Sequence, residues 1–123
     1  MKVQTFLVIT AAIYIPFGFV MIFFPKFLYG LYGFDLGLGG KILGRVVGSA
    51  IVGMGLINLV SSTEHKYTIA MGAILLGNLM YHLIDVFIML PPTLKGTVNA
   101  YAWSFVWLHI ILAIGFLSFL LQH

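Results

Sequence analysis

Apolar residues fill four long runs of the chain, and short polar clusters punctuate them at Pro25-Lys26, Ser61 to Lys66 and Pro91 to Asn99. The runs predict spans at roughly Val3–Phe24, Ile42–Val60, Tyr67–Leu90 and Val98–Leu121. About 20 apolar residues cross a hydrocarbon core, so each run is long enough to span a bilayer. In the first, Pro16 removes a backbone donor and predicts a kink near Ile13 to Phe17. Thr10 and Tyr14 are that run's mid-depth polar groups. The run is too long for the apolar core of a signal peptide and no A-x-A pattern follows it, so it is read as a retained span.

Between the first two spans, Phe27 to Lys41 reads F-L-Y-G-L-Y-G-F-D-L-G-L-G-G-K. Its tyrosines suit the membrane interface and its glycines oppose a long regular helix. An interfacial or shallow re-entrant segment is expected there, with Asp35 and the glycines capping or positioning the next span. The piece lacks the Lys-Ser/Thr of a phosphate loop and the strand context of a dinucleotide site. In the second span, Gly44, Gly48, Ile51, Gly55 and Asn58 recur at a 4-3-4-3 spacing, which lines small residues along one seam. Gly44-x-x-x-Gly48 and Ser49-x-x-x-Gly53 are patterns that let helices approach closely in lipid. Pro91-Pro92 is expected to end the third span. Tyr101, Trp103 and Trp107 fit an aromatic belt on the fourth.

Four spans with short loops define the expected fold: an all-α integral membrane protein, one domain over residues 1–123, forming an up-down-up-down bundle of four transmembrane helices with an interfacial segment between the first two. Both termini then share one side. Lys26, Lys41, Arg45 and Lys95 lie toward loops one and three, against Lys2 and Lys66 on the other side, which favours loops one and three inside, in the cell membrane. Without Arg45 the margin shrinks to three against two.

Composition strengthens the membrane reading. Of 123 residues, 62% are hydrophobic and 7% charged, whereas soluble domains run near a quarter charged. No cysteine is present, which removes disulfide, thiolate and Cys-ligated metal chemistry. The net charge of +3 comes from scattered residues suited to lipid headgroups, and a nucleic-acid partner is not expected.

Against this apolar background, Asn78, His82 and Asp85 stand at i, i+4 and i+7, on one face of the third span. Ionisable residues inside a span are costly, so they mark a candidate site. By helical rise, Asp85 lies roughly 10 Å from the middle of its span toward loop three, and Arg45 roughly 10 Å from the middle of its own toward loop one. An antiparallel bundle gives them one leaflet and one depth, and pairing between them is expected. Tyr81 is i,i+4 from Asp85, Ser104 reaches a similar level, and His109 lies near mid-membrane. Two buried histidines open several options. They are ligation of a b-type haem by His82 and His109, a metal site with Asp85, proton relay or general acid–base chemistry, and hydrogen-bonded packing. Packing is the leading option, and no cofactor is expected. His65, between Glu64 and Lys66, reads as a solvated surface histidine.

Pro25 to Leu31 (P-K-F-L-Y-G-L), Arg45-Val46-Val47-Gly48 and the following Gly53-Met54-Gly55-Leu56 together resemble small DoxX-like four-helix membrane proteins. The resemblance covers the first half of the chain. It implies a four-helix membrane fold, and some members are linked to quinol-oxidase complexes. The expected role is therefore an accessory subunit of a larger redox or oxidase-type membrane complex, or a homo-oligomer. The alternatives are a self-contained binder or enzyme for an apolar ligand (a quinone, sterol or lipid) using an Arg45–Asp85–His82 pocket, and a proton-coupled transporter.

Overall fold

The computed structural model describes residues 1–122. Its five helices are α1 (Val3–Phe23), α2 (Pro25–Leu31), α3 (Leu38–Ser61), α4 (Ile69–Leu94) and α5 (Ala102–Leu120). All but α2 are long and apolar enough to cross a membrane, by length and composition. The chain divides into two compact units, Met1–His65 and Lys66–His123. α1 packs on α3 in the first unit, and α4 packs on α5 in the second.

Each long helix turns a stripe of 4-3-4-3 spacing inward. On α1 the stripe is Leu7, Ala11, Tyr14, Gly18 and Met21. On α3 it is Gly44, Gly48, Ile51, Gly55 and Asn58, the small-residue seam of the sequence. α4 buries Met71, Leu75, Asn78 and His82, with Asp85 half-buried next in register. α5 buries Ala102, Val106, His109, Ala113 and Phe116. A 3.5-residue mean spacing keeps one face toward one neighbour along a whole helix, which is the geometry of knobs-into-holes packing.

In the first unit the stripe brings two backbones together. A Cβ added at Gly18 would stand 2.7 Å from the Gly48 carbonyl oxygen, and one at Gly48 would stand 2.7 Å from Met21 Cβ. Further along, Gly55 backs onto Tyr14 and Ile15, and a Cβ there would meet Ile15 Cγ1 at 2.7 Å. Asn58 Nδ2 donates to Thr10 Oγ1 at 3.0 Å, and that hydroxyl donates to the Leu7 carbonyl. Partners rise along α1 as they fall along α3, so α3 runs back beside α1. Gly44 sits against the Tyr29 ring of α2. Gly53, by contrast, faces open space, with nothing within 4 Å of an added Cβ, so it takes no part in the seam.

Several boundaries differ from the sequence reading, each for a local reason. The third span does not end at Pro91-Pro92, because α4 continues to Leu94. A proline lacks the N–H but keeps the carbonyl. Here Lys95 N–H bonds the Pro91 oxygen and Thr97 N–H the Pro92 oxygen, while Thr93 Oγ1 donates back to the Met89 carbonyl. The stop is Gly96 at φ +68°, whose N–H bonds the Thr93 oxygen, completing a Schellman ending. Gly33, at φ +88°, ends α2 in the same way.

α3 begins four residues earlier than expected, at Leu38. Its N-cap is Gly37 and no side chain caps it, so Asp35 does not serve as the cap. The helix penalty of Gly39 and Gly40 is only about 1 kcal/mol each, a weak prior that tertiary context overrides. The fourth span starts later than expected, at Ala102. Asn99 takes the Tyr101 N–H on its side chain and the Ala102 N–H on its carbonyl, a turn that asparagine favours. At the head of α4, Thr68 accepts the Met71 N–H and fixes the start at Ile69.

A histidine pair and a carboxylate between α4 and α5

The inward stripes of the second unit place His82 on α4 and His109 on α5 face to face. Both are nearly inaccessible, at 1% and 5% exposure. Their Nδ1 atoms lie 3.0 Å apart, a hydrogen bond in which one nitrogen donates and the other accepts. Asp85 Oδ2 lies 3.4 Å from the same His109 Nδ1, and the Asp85 side chain keeps 23% of its surface exposed. The Tyr81 hydroxyl, one turn before Asp85, hydrogen-bonds its carboxylate.

Valence assigns the shared proton. An ionised carboxylate only accepts, and a neutral imidazole carries one N–H. With Asp85 ionised, His109 Nδ1 can favour both neighbours only if it bears the hydrogen, directing it at His82 Nδ1 with Asp85 as the outer acceptor. His82 is then the Nε2–H tautomer. Oriented this way, the three groups form one interhelical clasp.

Aromatic rings wall the clasp. Phe105 stacks on His109 with centroids 4.0 Å apart at 26°, and Phe116 lies over His82 at 5.7 Å and 21°. The Tyr81 ring is 5.0 Å from His82 and 5.6 Å from His109. Such walls exclude water and lower the local dielectric, which strengthens a satisfied polar contact and penalises an unsatisfied one. Among the described residues, no buried side-chain nitrogen or oxygen lacks a partner.

Asn78, buried on the same stripe, donates to the Ile74 carbonyl of its own helix. Ser104 is exposed and donates back to the Tyr101 carbonyl. Arg45 belongs to the first unit, on the exposed side of α3 beside Lys26 and Lys41. The two Nδ1 atoms are hydrogen-bond neighbours. Among the described residues no three His, Cys, Asp or Glu side chains are grouped to hold a metal. The walls, Phe105 and Phe116, were missed by reasoning from the sequence. So was Gly18, whose signal is its place in the α1 stripe, four residues after Tyr14.

Fold and site together define a small, all-helical chain with four helices fit to cross a membrane and a polar contact buried between two of them. Comparison with family models, with curated proteins and with solved structures gave no match.

Proposed function

We propose that this chain is an accessory, structural subunit of a larger membrane complex of redox or oxidase type. The observation that supports it is how the polar side chains of the spans are used. Thr10 and Asn58 join α1 to α3, and His82, His109 and Asp85 join α4 to α5, with their partners satisfied. These are the interhelical contacts that hold helices together in lipid, where burial of apolar area gives no net drive. Outward faces are predominantly apolar, with Phe87 80% and Ile69 92% exposed. The redox or oxidase character rests on the DoxX-like resemblance of Pro25–Leu31 and Arg45–Gly48. In this reading the chain lies in the cell membrane with both termini on one side and loops one and three inside.

Blue-native electrophoresis of gently solubilised native protein tests the proposal. Migration within a larger assembly, with other membrane subunits identified by mass spectrometry, is expected. Migration only as a small monomer or homodimer would contradict it.

One observation favours a second reading, a self-contained binder or enzyme for an apolar ligand such as a quinone, sterol or lipid. Asp85 remains partly exposed beside two deeply buried histidines, a gradient suited to passing a proton or orienting a ligand's polar head. Mass spectrometry of extracted small molecules would reveal a stoichiometric apolar compound, lost in His82→Leu, if this reading holds.

A further inference from the structure

A second polar feature lies in the first unit, independent of the clasp and of the role proposed above. Where α1 ends and α3 begins, an open cleft of about 350 Å³ is lined by Phe23, Phe24, Pro25, Lys26, Phe27, Lys41 and Arg45. Lys26, Lys41 and Arg45 share this lining, and Lys41 feels the positive charge of both neighbours. Within this unit the carboxylate that acts on Lys41 is Asp35. Three cations therefore line one cleft, and no acid is among its lining residues.

The local helix makes the excess of positive charge worse. Lys41 closes the first turn of α3, at the positive end of its macrodipole where acids are the favoured residues, and Arg45 follows one turn later. That first turn has no acid, and no side chain caps it. Like charges gathered at a positive helix end disfavour one another unless an anion joins them. The apolar half of the lining says what kind of anion. Phe23, Phe24 and Phe27 are each 63–64% exposed and border the cations where a span reaches the interface. An ion with a hydrocarbon tail satisfies both halves of the cleft, and a soluble ion satisfies one.

We infer that this cleft binds the phosphate headgroup of an anionic phospholipid, with Lys26, Lys41 and Arg45 around the phosphate and an acyl chain along Phe23, Phe24 and Phe27. Arg45 supplies a planar fork that can hold two phosphate oxygens at once, and the lysines supply point charges.

Native mass spectrometry of the full chain tests the inference, after equilibration with vesicles of phosphatidylcholine alone or mixed with phosphatidylglycerol. The wild type should retain phosphatidylglycerol over phosphatidylcholine. Each cation held against the bound headgroup contributes about fivefold to such a preference, so Arg45→Gln should lower it about fivefold and Lys26→Gln/Lys41→Gln/Arg45→Gln should bring it near parity. Lys2→Gln/Lys66→Gln removes as much charge as Lys26→Gln/Lys41→Gln but should leave the preference unchanged. Raising salt on the wild type should weaken retention without any substitution, which keeps the test decisive if a variant folds poorly. Equal retention of both lipids, or equal loss in the Lys2/Lys66 control, would overturn the site. Displacement of the lipid by an equal concentration of soluble glycerol phosphate would overturn its assignment to a lipid.

Discussion

The two helical pairs bury the same 4-3-4-3 register with opposite chemistry. Between α1 and α3 the register narrows to glycine at its closest point: Gly18 lies against Gly48, and a Cβ at either would enter its neighbour's backbone or Cβ. Between α4 and α5 it is filled with imidazoles, a carboxylate and aromatic rings. In lipid, helices associate through close packing or through polar contacts. The first pair relies chiefly on closeness, with one hydrogen bond from Asn58 to Thr10, and the second on directed hydrogen bonds. The two should therefore fail differently, one to added volume and the other to lost polarity.

The largest effect is expected where volume meets backbone. Gly48→Val should destabilise the first pair by about 2–3 kcal/mol or more, because Gly18 and Met21 cannot both withdraw. Denaturant titration in detergent, followed by circular dichroism, would measure this, and a tolerated valine would refute the close approach. Next comes the clasp. His82→Leu leaves His109 buried without its partner and should cost about 1–3 kcal/mol, while His82→Leu/His109→Leu should cost less than the sum of the single changes. Additive losses in the same titration would separate the two rings energetically.

Smaller still is Asn58→Leu, which removes one interhelical hydrogen bond to Thr10 and should cost about 0.6 kcal/mol. Its paired control, Thr10→Val/Asn58→Leu, should recover part of that loss, and an Asn58→Leu protein as stable as the wild type would mean that the bond contributes nothing to the pair. The smallest is Gly53→Ala. It meets nothing within 4 Å, so the change should be neutral or stabilise by up to about 1 kcal/mol through helix propensity. A large loss would mean that a face exposed in this chain is covered by a partner, which would favour the accessory reading.

Much of this contrast can be read in the sequence, with particular exceptions. The seam from Gly44 to Asn58 is visible because glycine is a poor helix former, and its recurrence at helical spacing in an apolar run points to a face that another helix approaches closely. Its partner stripe on α1 is not visible, because Leu7, Ala11 and Met21 look like any other apolar residue and only Gly18 differs. Asn78, His82 and Asp85 stand out by polarity and lie on one face of α4. What each one touches depends on the register of α5 against α4, which no spacing within one helix reveals. Thus Asn78 bonds its own helix, His109 comes into contact and Ser104 does not. Pro91-Pro92 misled because a proline's missing donor is evident from the sequence, whereas its surviving carbonyl needs the downstream Gly96 and Thr97 to be appreciated.

The central claim is that His82 and His109 share one proton through their Nδ1 atoms with Asp85 behind it. Nitrogen-15 NMR of histidine-labelled protein in bilayers tests this most directly, with His82 and His109 assigned through single substitutions. The expected result is an Nδ1–H tautomer at His109, an Nε2–H tautomer at His82, and a through-hydrogen-bond coupling between the two Nδ1 nuclei. Two Nε2–H tautomers with no coupling would contradict the clasp.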